Sequence, residues 1–260
     1  MMMIIQTLLQ IILESLPISS SGHLVLAEKI MHWQEIPKTV EYLLHGPTIV
    51  VLIVYFRATW IHLLLHCWRY RALLMRMIFL GAAATLVTVP LYCGMQWLAP
   101  LFPLSLGFAC TASFLFSLRF VSYQHEQMSY KKALLLGCVQ GISGLPGISR
   151  LASTYVAGVW LGLTPKKSFY FSCMMQFPLI CAGFLYGLFK TPELAKAARG
   201  EWFCVSKIIS NHAVSNSIAI SAATAIAYFL LWWVQRCMQQ HTLWKFGYYM
   251  LLPLTLALAI

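Results

Sequence analysis

The chain has 260 residues, 60% hydrophobic and only 10% charged, with a formal net charge of +11, seven glutamates and no aspartate. Soluble domains carry roughly 25% charged residues, so this composition excludes a soluble globular fold and reads as a polytopic membrane protein. The positive excess reads as basic loops beside apolar spans, not as a nucleic-acid surface, because no basic patch is interleaved with aromatic residues.

Met1–Leu13 is apolar but shorter than the ~20 residues a span needs. It lacks the basic start and the small-residue cleavage site of a signal peptide, so it reads as part of the mature protein. Glu14 ends this run, and Ser15-Leu16-Pro17-Ile18-Ser19-Ser20-Ser21-Gly22-His23 follows. Such a break at membrane depth is tolerated only where it is buried in protein or lines a cavity. Together with residues 18–31 it predicts a re-entrant helix–break–helix hairpin. Tyr42–Phe56, Met77–Leu98 and Leu104–Val121 are the next expected spans. Ala133–Leu163 is long and apolar but interrupted by Gly137, Gly141, Gly144, Pro146 and Gly147. One straight helix is disfavoured there, and a second hairpin is expected. Thr164 and Pro165 read as the N-cap and first position of a helix whose span is Ser168–Phe189. A polar loop over 190–210 and the spans Ala213–Val234 and Trp244–Ile260 complete the chain.

The expected fold is therefore an all-α polytopic membrane protein, with six transmembrane helices and two re-entrant helical hairpins. No polar linker separates two units, so 1–260 reads as one domain. Leu16-Pro17-Ile18-Ser19 and Leu145-Pro146-Gly147-Ile148-Ser149 echo each other, their prolines 129 residues apart. Each opens a unit of one hairpin and three spans, at about 1–130 and 131–260. Three spans is odd, so the second unit enters from the opposite side, which makes an inverted repeat. With the N-terminus outside, the inner loops hold eleven Lys and Arg and the outer loops six. That excess places both termini on the outer face. The eight cysteines form no C-x-x-C pair, so neither a disulfide framework nor structural zinc is expected.

Glu14 is the one acid inside an apolar segment, and Arg150 the one base inside the second broken run. Either, buried alone, would cost several kcal/mol. They form a structural ion pair, or they share a cavity with an anionic substrate or a metal. Arg150 suits a phosphate because a guanidinium donates two parallel hydrogen bonds. Gly147, Ser149, Ser153 and Thr154 place a helix start beside it, where free N–H groups attract anions. Small-residue helix packing is the bland alternative. Ser19, Ser20 and Ser21 could likewise be a helix cap. His23, next to an intramembrane acid, is a candidate general acid or nucleophile for phosphoryl transfer. Gln10, one turn before Glu14, could add a neutral oxygen ligand. His45, near a span start, and His62, His66, His125, His212 and His241, in or beside loops, are assigned no role.

At these residues the sequence resembles the undecaprenyl-diphosphate phosphatase family of the bacitracin-resistance type. Its first motif, Glu or Gln, three residues, Glu, then Leu-Pro-x-Ser-Ser-(Ser/Thr)-Gly-His, is matched by Gln10, Glu14 and Leu16 to His23. Its second, Pro-Gly-x-Ser-Arg-Ser-x-x-Thr, is matched by Pro146 to Thr154, except that Leu151 stands in place of the Ser. The resemblance implies a membrane phosphatase that removes one phosphate from a polyprenyl diphosphate and so recycles the cell-wall lipid carrier. It implies a divalent metal, Mg2+ or Ca2+, on Gln10 and Glu14. Ser20 or His23 would be the nucleophile or acid. Arg150, with Ser19, Ser21, Gly147, Ser149, Ser153 and Thr154, would hold the diphosphate. The implied place is the bacterial inner membrane, with the site toward the periplasm. The expected partners are the lipid diphosphate, the membrane and, as a candidate, a second copy of the chain. A lipid-phosphate transporter or flippase is the alternative, since inverted repeats with broken helices are transporter architecture. An inactive structural homologue is the third reading. A pure carrier would need Arg150 but no acid–base pair, which favours the phosphatase.

Overall fold

The computed structural model describes residues 2–33, 38–66, 68–69, 71–121, 127–190 and 213–260. The expected loop over 190–210 lies outside the described residues beyond Lys190, with its Lys196, Arg199 and Lys207. So do Cys67, Cys204, His125 and His212. Among the described residues all regular structure is helical: α1 (Met2–Leu13), α2 (Ser20–Met31), α3 (Lys38–Leu43), α4 (His45–Tyr55), α5 (Arg57–Leu65), α6 (Arg71–Leu98), α7 (Leu104–Ser117), α8 (Tyr130–Ile142), α9 (Arg150–Trp160), α10 (Pro165–Lys190), α11 (Ala213–Gln239) and α12 (Phe246–Leu258).

The two breaks fall at the two motif runs. α1 stops before Glu14, and α2 starts at Ser20 after Ser19 takes a left-handed φ of 65°. The Ser19 side chain caps α2 by accepting the Gly22 N–H at 3.3 Å. α8 and α9 repeat the device. Gly147 takes the left-handed turn at φ 84°, and Ser149 caps α9 by accepting the Ala152 N–H at 3.3 Å. A capping serine satisfies a helix-start N–H that would otherwise be unpaired. Thr164 caps α10 in the same way, accepting the Lys167 N–H at 3.4 Å.

The two tips cross backbone to backbone. A Cβ on Gly22 would fall 2.7 Å from Gly147 Cα, and one on Gly107 of α7 would fall 2.8 Å from it. Only glycine permits this approach. Thr111 of α7 fixes the second tip: its hydroxyl donates to Gly147 O at 2.8 Å and accepts from Ser149 N at 3.1 Å.

Several helix contacts of one hairpin-led set have a counterpart in the other. α1 packs on α11, and α8 on α6. α4 packs on α11, and α10 on α6. α2 reaches α12, and α9 reaches α7. The contacts α4–α10 and α7–α12 link the two sets.

Three helices are long and apolar enough to cross a membrane, within Leu74–Leu101, Pro165–Lys190 and Ile218–Gln239; Glu41–Tyr55, Leu104–Phe120 and Leu243–Leu258 are shorter apolar helices. The outer surface carries Leu86, Trp97, Phe189 and Phe229, all largely exposed. Water would penalise such a surface, whereas lipid accommodates it. This is a multi-pass membrane protein. One end of the bundle is basic. There Arg119 lies 5.3 Å over the Trp244 ring, Arg76 Nη2 donates to Met128 O at 3.0 Å and Trp160 Nε1 donates to Ser117 Oγ at 3.2 Å. Lys131, Lys132, Lys166, Lys167 and Lys245 sit in or beside the same segments. The far end of α10 carries Tyr186, whose ring meets Tyr42 at 5.7 Å.

Candidate active site

A cavity of 670 Å³ opens between the two hairpin tips. Its floor is Glu14, Ser19, Ser20, Ser149 and Arg150; its walls include Tyr92 and Gln96 from α6, His45 from α4 and Gln176 from α10. Glu28, Lys29 and Glu41 lie farther along the lining. Its lining extends past the Gln96 end of α6, opposite the Arg76 end.

Glu14 is the hub. It is 8% exposed, and both its oxygens are engaged. Oε1 accepts from Arg150 Nη2 at 3.1 Å and from Gln176 Nε2 at 3.3 Å. Oε2 accepts from the Ser20 hydroxyl in a short hydrogen bond and from Gln10 Nε2 at 3.4 Å. A buried carboxylate needs such donors, because an isolated charge there would be too costly. Gln10 and Glu14 meet because they stand one turn apart on the first hairpin. Ser20 reaches Glu14 because the Ser19 turn folds the first residue of α2 back over the end of α1.

The remaining predicted residues divide into two groups. Ser19, Ser21 and Ser149 line the cavity with Arg150. Ser153 Oγ and Thr154 Oγ1 both turn back to the Arg150 carbonyl, at 3.2 and 2.7 Å. They brace the first turn of α9 instead of facing the cavity. Gly147 forms the tip beneath. His23 is not part of the lining. Its Nδ1 lies 2.8 Å from Ser19 O and its Nε2 3.1 Å from the Tyr249 hydroxyl of α12. Its ring stacks on Tyr249 and meets Phe108 edge-on.

The family model for bacitracin resistance protein BacA matches residues 3–255. The chain belongs to the BacA family. Among similar proteins, undecaprenyl-diphosphatase of Hahella chejuensis is 31% identical over 243 residues, 87% of each chain. That of Idiomarina loihiensis is 29% identical over 242 residues, 88% of each. That of Borrelia hermsii is 31% identical over 190 residues, 68% of this chain and 72% of its own.

Sequence reasoning missed three side chains of this BacA-family site. Gln176 lies mid-helix in α10, where its amide reads as one polar residue among apolar neighbours; only the fold brings it to Glu14. Thr111 reads as a small packing residue of α7 yet holds the second tip. His45 begins α4 and lines the cavity, with Nδ1 4.0 Å from Glu14 Oε1. Its signal was a histidine near the start of an apolar run, and nothing in the sequence places it beside Glu14.

Proposed function

We infer that this chain hydrolyses undecaprenyl diphosphate to the monophosphate and inorganic phosphate, so recycling the cell-wall lipid carrier. The observation that carries the chemistry is the Ser20 hydroxyl donating to the Glu14 carboxylate, with Arg150 on the other oxygen of the same carboxylate, inside one cavity. A serine hydrogen-bonded to a base is an activated nucleophile. Ser20 Oγ attacks the terminal phosphorus and its proton passes to Glu14 Oε2. The bond from phosphorus to the bridging oxygen breaks, and the lipid monophosphate leaves with that oxygen. Glu14 hands that proton to the leaving monophosphate oxygen, takes one from the water that attacks the phosphoserine, and returns it to Ser20 Oγ as the bond from phosphorus to Oγ breaks and inorganic phosphate departs. Arg150 turns from Glu14 to the phosphate oxygens and stabilises the charge that grows on them. His23, both of whose nitrogens are engaged outside the lining, supports this route by holding Ser19. Ser19, Ser21 and Ser149 offer the diphosphate hydroxyl and helix-start donors.

Gln10 and Glu14 would hold the divalent metal, Mg2+ or Ca2+. Gln10 Oε1 is buried with no hydrogen-bond partner, one turn from the carboxylate. That is an acceptor a hard cation would satisfy. Among the described residues no three His, Cys, Asp or Glu gather as a metal cluster, so the diphosphate and water would complete the shell. When bound, the ion withdraws charge from the phosphate oxygens.

The architecture supporting this reading is an inverted repeat of six spans and two re-entrant hairpins in the bacterial inner membrane. The basic end faces the cytoplasm by the positive-inside rule. The cavity then opens to the periplasm, with both termini on that side. A carrier would need Arg150 and the helix starts but not a serine on a carboxylate. The deciding experiment is phosphate release from undecaprenyl diphosphate by detergent-purified protein, with and without Mg2+ or Ca2+, beside Glu14→Ala. Metal-dependent release lost in the variant is expected. No release from folded, lipid-binding protein would overturn the reading.

A further inference from the structure

We propose that His45 is a positioning residue that takes over Glu14 Oε1 when Arg150 turns to the diphosphate. The proposal rests on the reading of Arg150 as the diphosphate-binding residue.

In the structure Arg150 binds Glu14 through one guanidinium nitrogen, and aligning its two-pronged edge with a diphosphate means turning that nitrogen away. Its Nη2 is spent on Glu14 Oε1 at 3.1 Å. A diphosphate entering the cavity competes for that guanidinium, because a fork of parallel N–H groups matches phosphate oxygens. Glu14 Oε1 would then keep Gln176 alone, while Oε2 keeps Gln10 and the Ser20 hydroxyl until it takes the Ser20 proton. A buried carboxylate that loses its charged donor on one oxygen is destabilised and rotates toward another donor. Rotation would carry Oε2 away from Ser20 and lose the base.

His45 is the donor already in place. The residue is 6% exposed and lines the cavity. Its Nδ1 is buried and has no hydrogen-bond partner. It stands 4.0 Å from the oxygen that Arg150 vacates. A closing movement of about 1 Å makes an ordinary hydrogen bond. α10 runs alongside the ring and leaves it room to close: only a Cβ added at Gly183 would come into ordinary contact with His45 Cδ2, at 3.7 Å. The neighbouring Gly46 is held under Phe184, whose Cε2 would lie 2.9 Å from a Cβ there. An unsatisfied buried nitrogen in a native site calls for an explanation, and an exchange of partners on Glu14 supplies one. The empty site binds the carboxylate through Arg150; the loaded site binds it through His45. The N–H of a neutral imidazole suffices, so a glutamine amide at the same place should serve as well.

The test is steady-state phosphate release from undecaprenyl diphosphate for wild type, His45→Ala, His45→Gln and Arg150→Ala, each checked by thermal melting in detergent. A misplaced base lowers kcat without weakening substrate binding, so His45→Ala should lose about tenfold or more in kcat with KM within about threefold. His45→Gln should recover kcat to within about threefold of wild type. Unchanged kcat in His45→Ala overturns the exchange. So does a rise in KM that His45→Gln fails to reverse, which would make His45 a substrate contact. If His45→Ala does not fold, His45→Gln decides alone, and a folded but inactive His45→Gln overturns the proposal. Arg150→Ala separates the two readings. If it turns over normally, the diphosphate role of Arg150 fails and the exchange with it. If it is impaired while His45→Ala is not, only the exchange fails.

Discussion

Arg150 Nη2 lies 3.1 Å from Glu14 Oε1, closing a contact across 136 residues of sequence and joining the two hairpin tips. The pair is both structural and chemical, and the two roles separate by substitution. Arg150→Ala leaves a buried carboxylate unpaired, which costs about 3–5 kcal/mol and should lower the melting temperature. It also removes the donor to the phosphate oxygens, for a loss of order 10²–10³ in rate. Arg150→Lys should recover much of the melting temperature but little of the rate, because an ammonium cannot reproduce the planar fork. Phosphate release and melting on the same samples check this, and near-normal turnover in Arg150→Ala would remove the phosphate role.

Ser20→Ala should abolish turnover while lipid binding persists. It removes the attacking oxygen and leaves Glu14 with Arg150, Gln176 and Gln10 as donors. The wild type, quenched in acid during turnover and digested, should yield a phosphopeptide containing Ser20. Turnover in Ser20→Ala within about tenfold of wild type would mean that water attacks directly, since loss of a nucleophile that acts as a unit with its base costs far more.

The helix breaks, the order of the apolar helices and the acid–arginine meeting were legible in the sequence because each leaves a local mark. Pro17, Gly147 and the capping serines interrupt apolar runs, and Glu14 and Arg150 are the ionisable groups that those runs cannot hold without partners. Gln176, Thr111 and His45 left no such mark. Each is one polar residue on a helix, and its meaning lies in what stands opposite it after the helices pack. Ser153 and Thr154 show the converse. Their place in a motif suggested donors to phosphate, yet a hydroxyl on a helix often bonds the carbonyl one turn back, and both do. Likewise His23 stands beside the serine run in sequence, but the first turn of α2 directs it toward Tyr249 of α12.

Gln10→Glu should strengthen metal binding. A second carboxylate one turn from Glu14 adds a charged oxygen ligand, but the site is buried at 1% exposure. Without a cation the two acids would repel. The variant should therefore melt lower than wild type in chelator and recover on adding Mg2+ or Ca2+. Calorimetric titration should show tighter binding than wild type, and Glu14→Ala should show none. A melting temperature of Gln10→Glu that ignores the metal would remove Gln10 from the ion site.

Leu151 stands where the family motif has a serine, and its surroundings decide what restoring the hydroxyl would do. It lines the cavity and is also packed into the main apolar core at 4% exposure, with Ile18, Phe108 and Tyr155 in the same cluster. Leu151→Ser therefore removes buried apolar surface and leaves a small void, at a cost of about 2–5 kcal/mol by comparison with large-to-small core changes. The new hydroxyl would sit beside Arg150 on the second residue of α9, near helix-start N–H groups that favour anions. Melting should fall, while phosphate release at a temperature where the variant is folded should rise or hold. A large loss of turnover in folded Leu151→Ser would mean that the leucine shapes the phosphate pocket directly, through its packing over the hairpin tips.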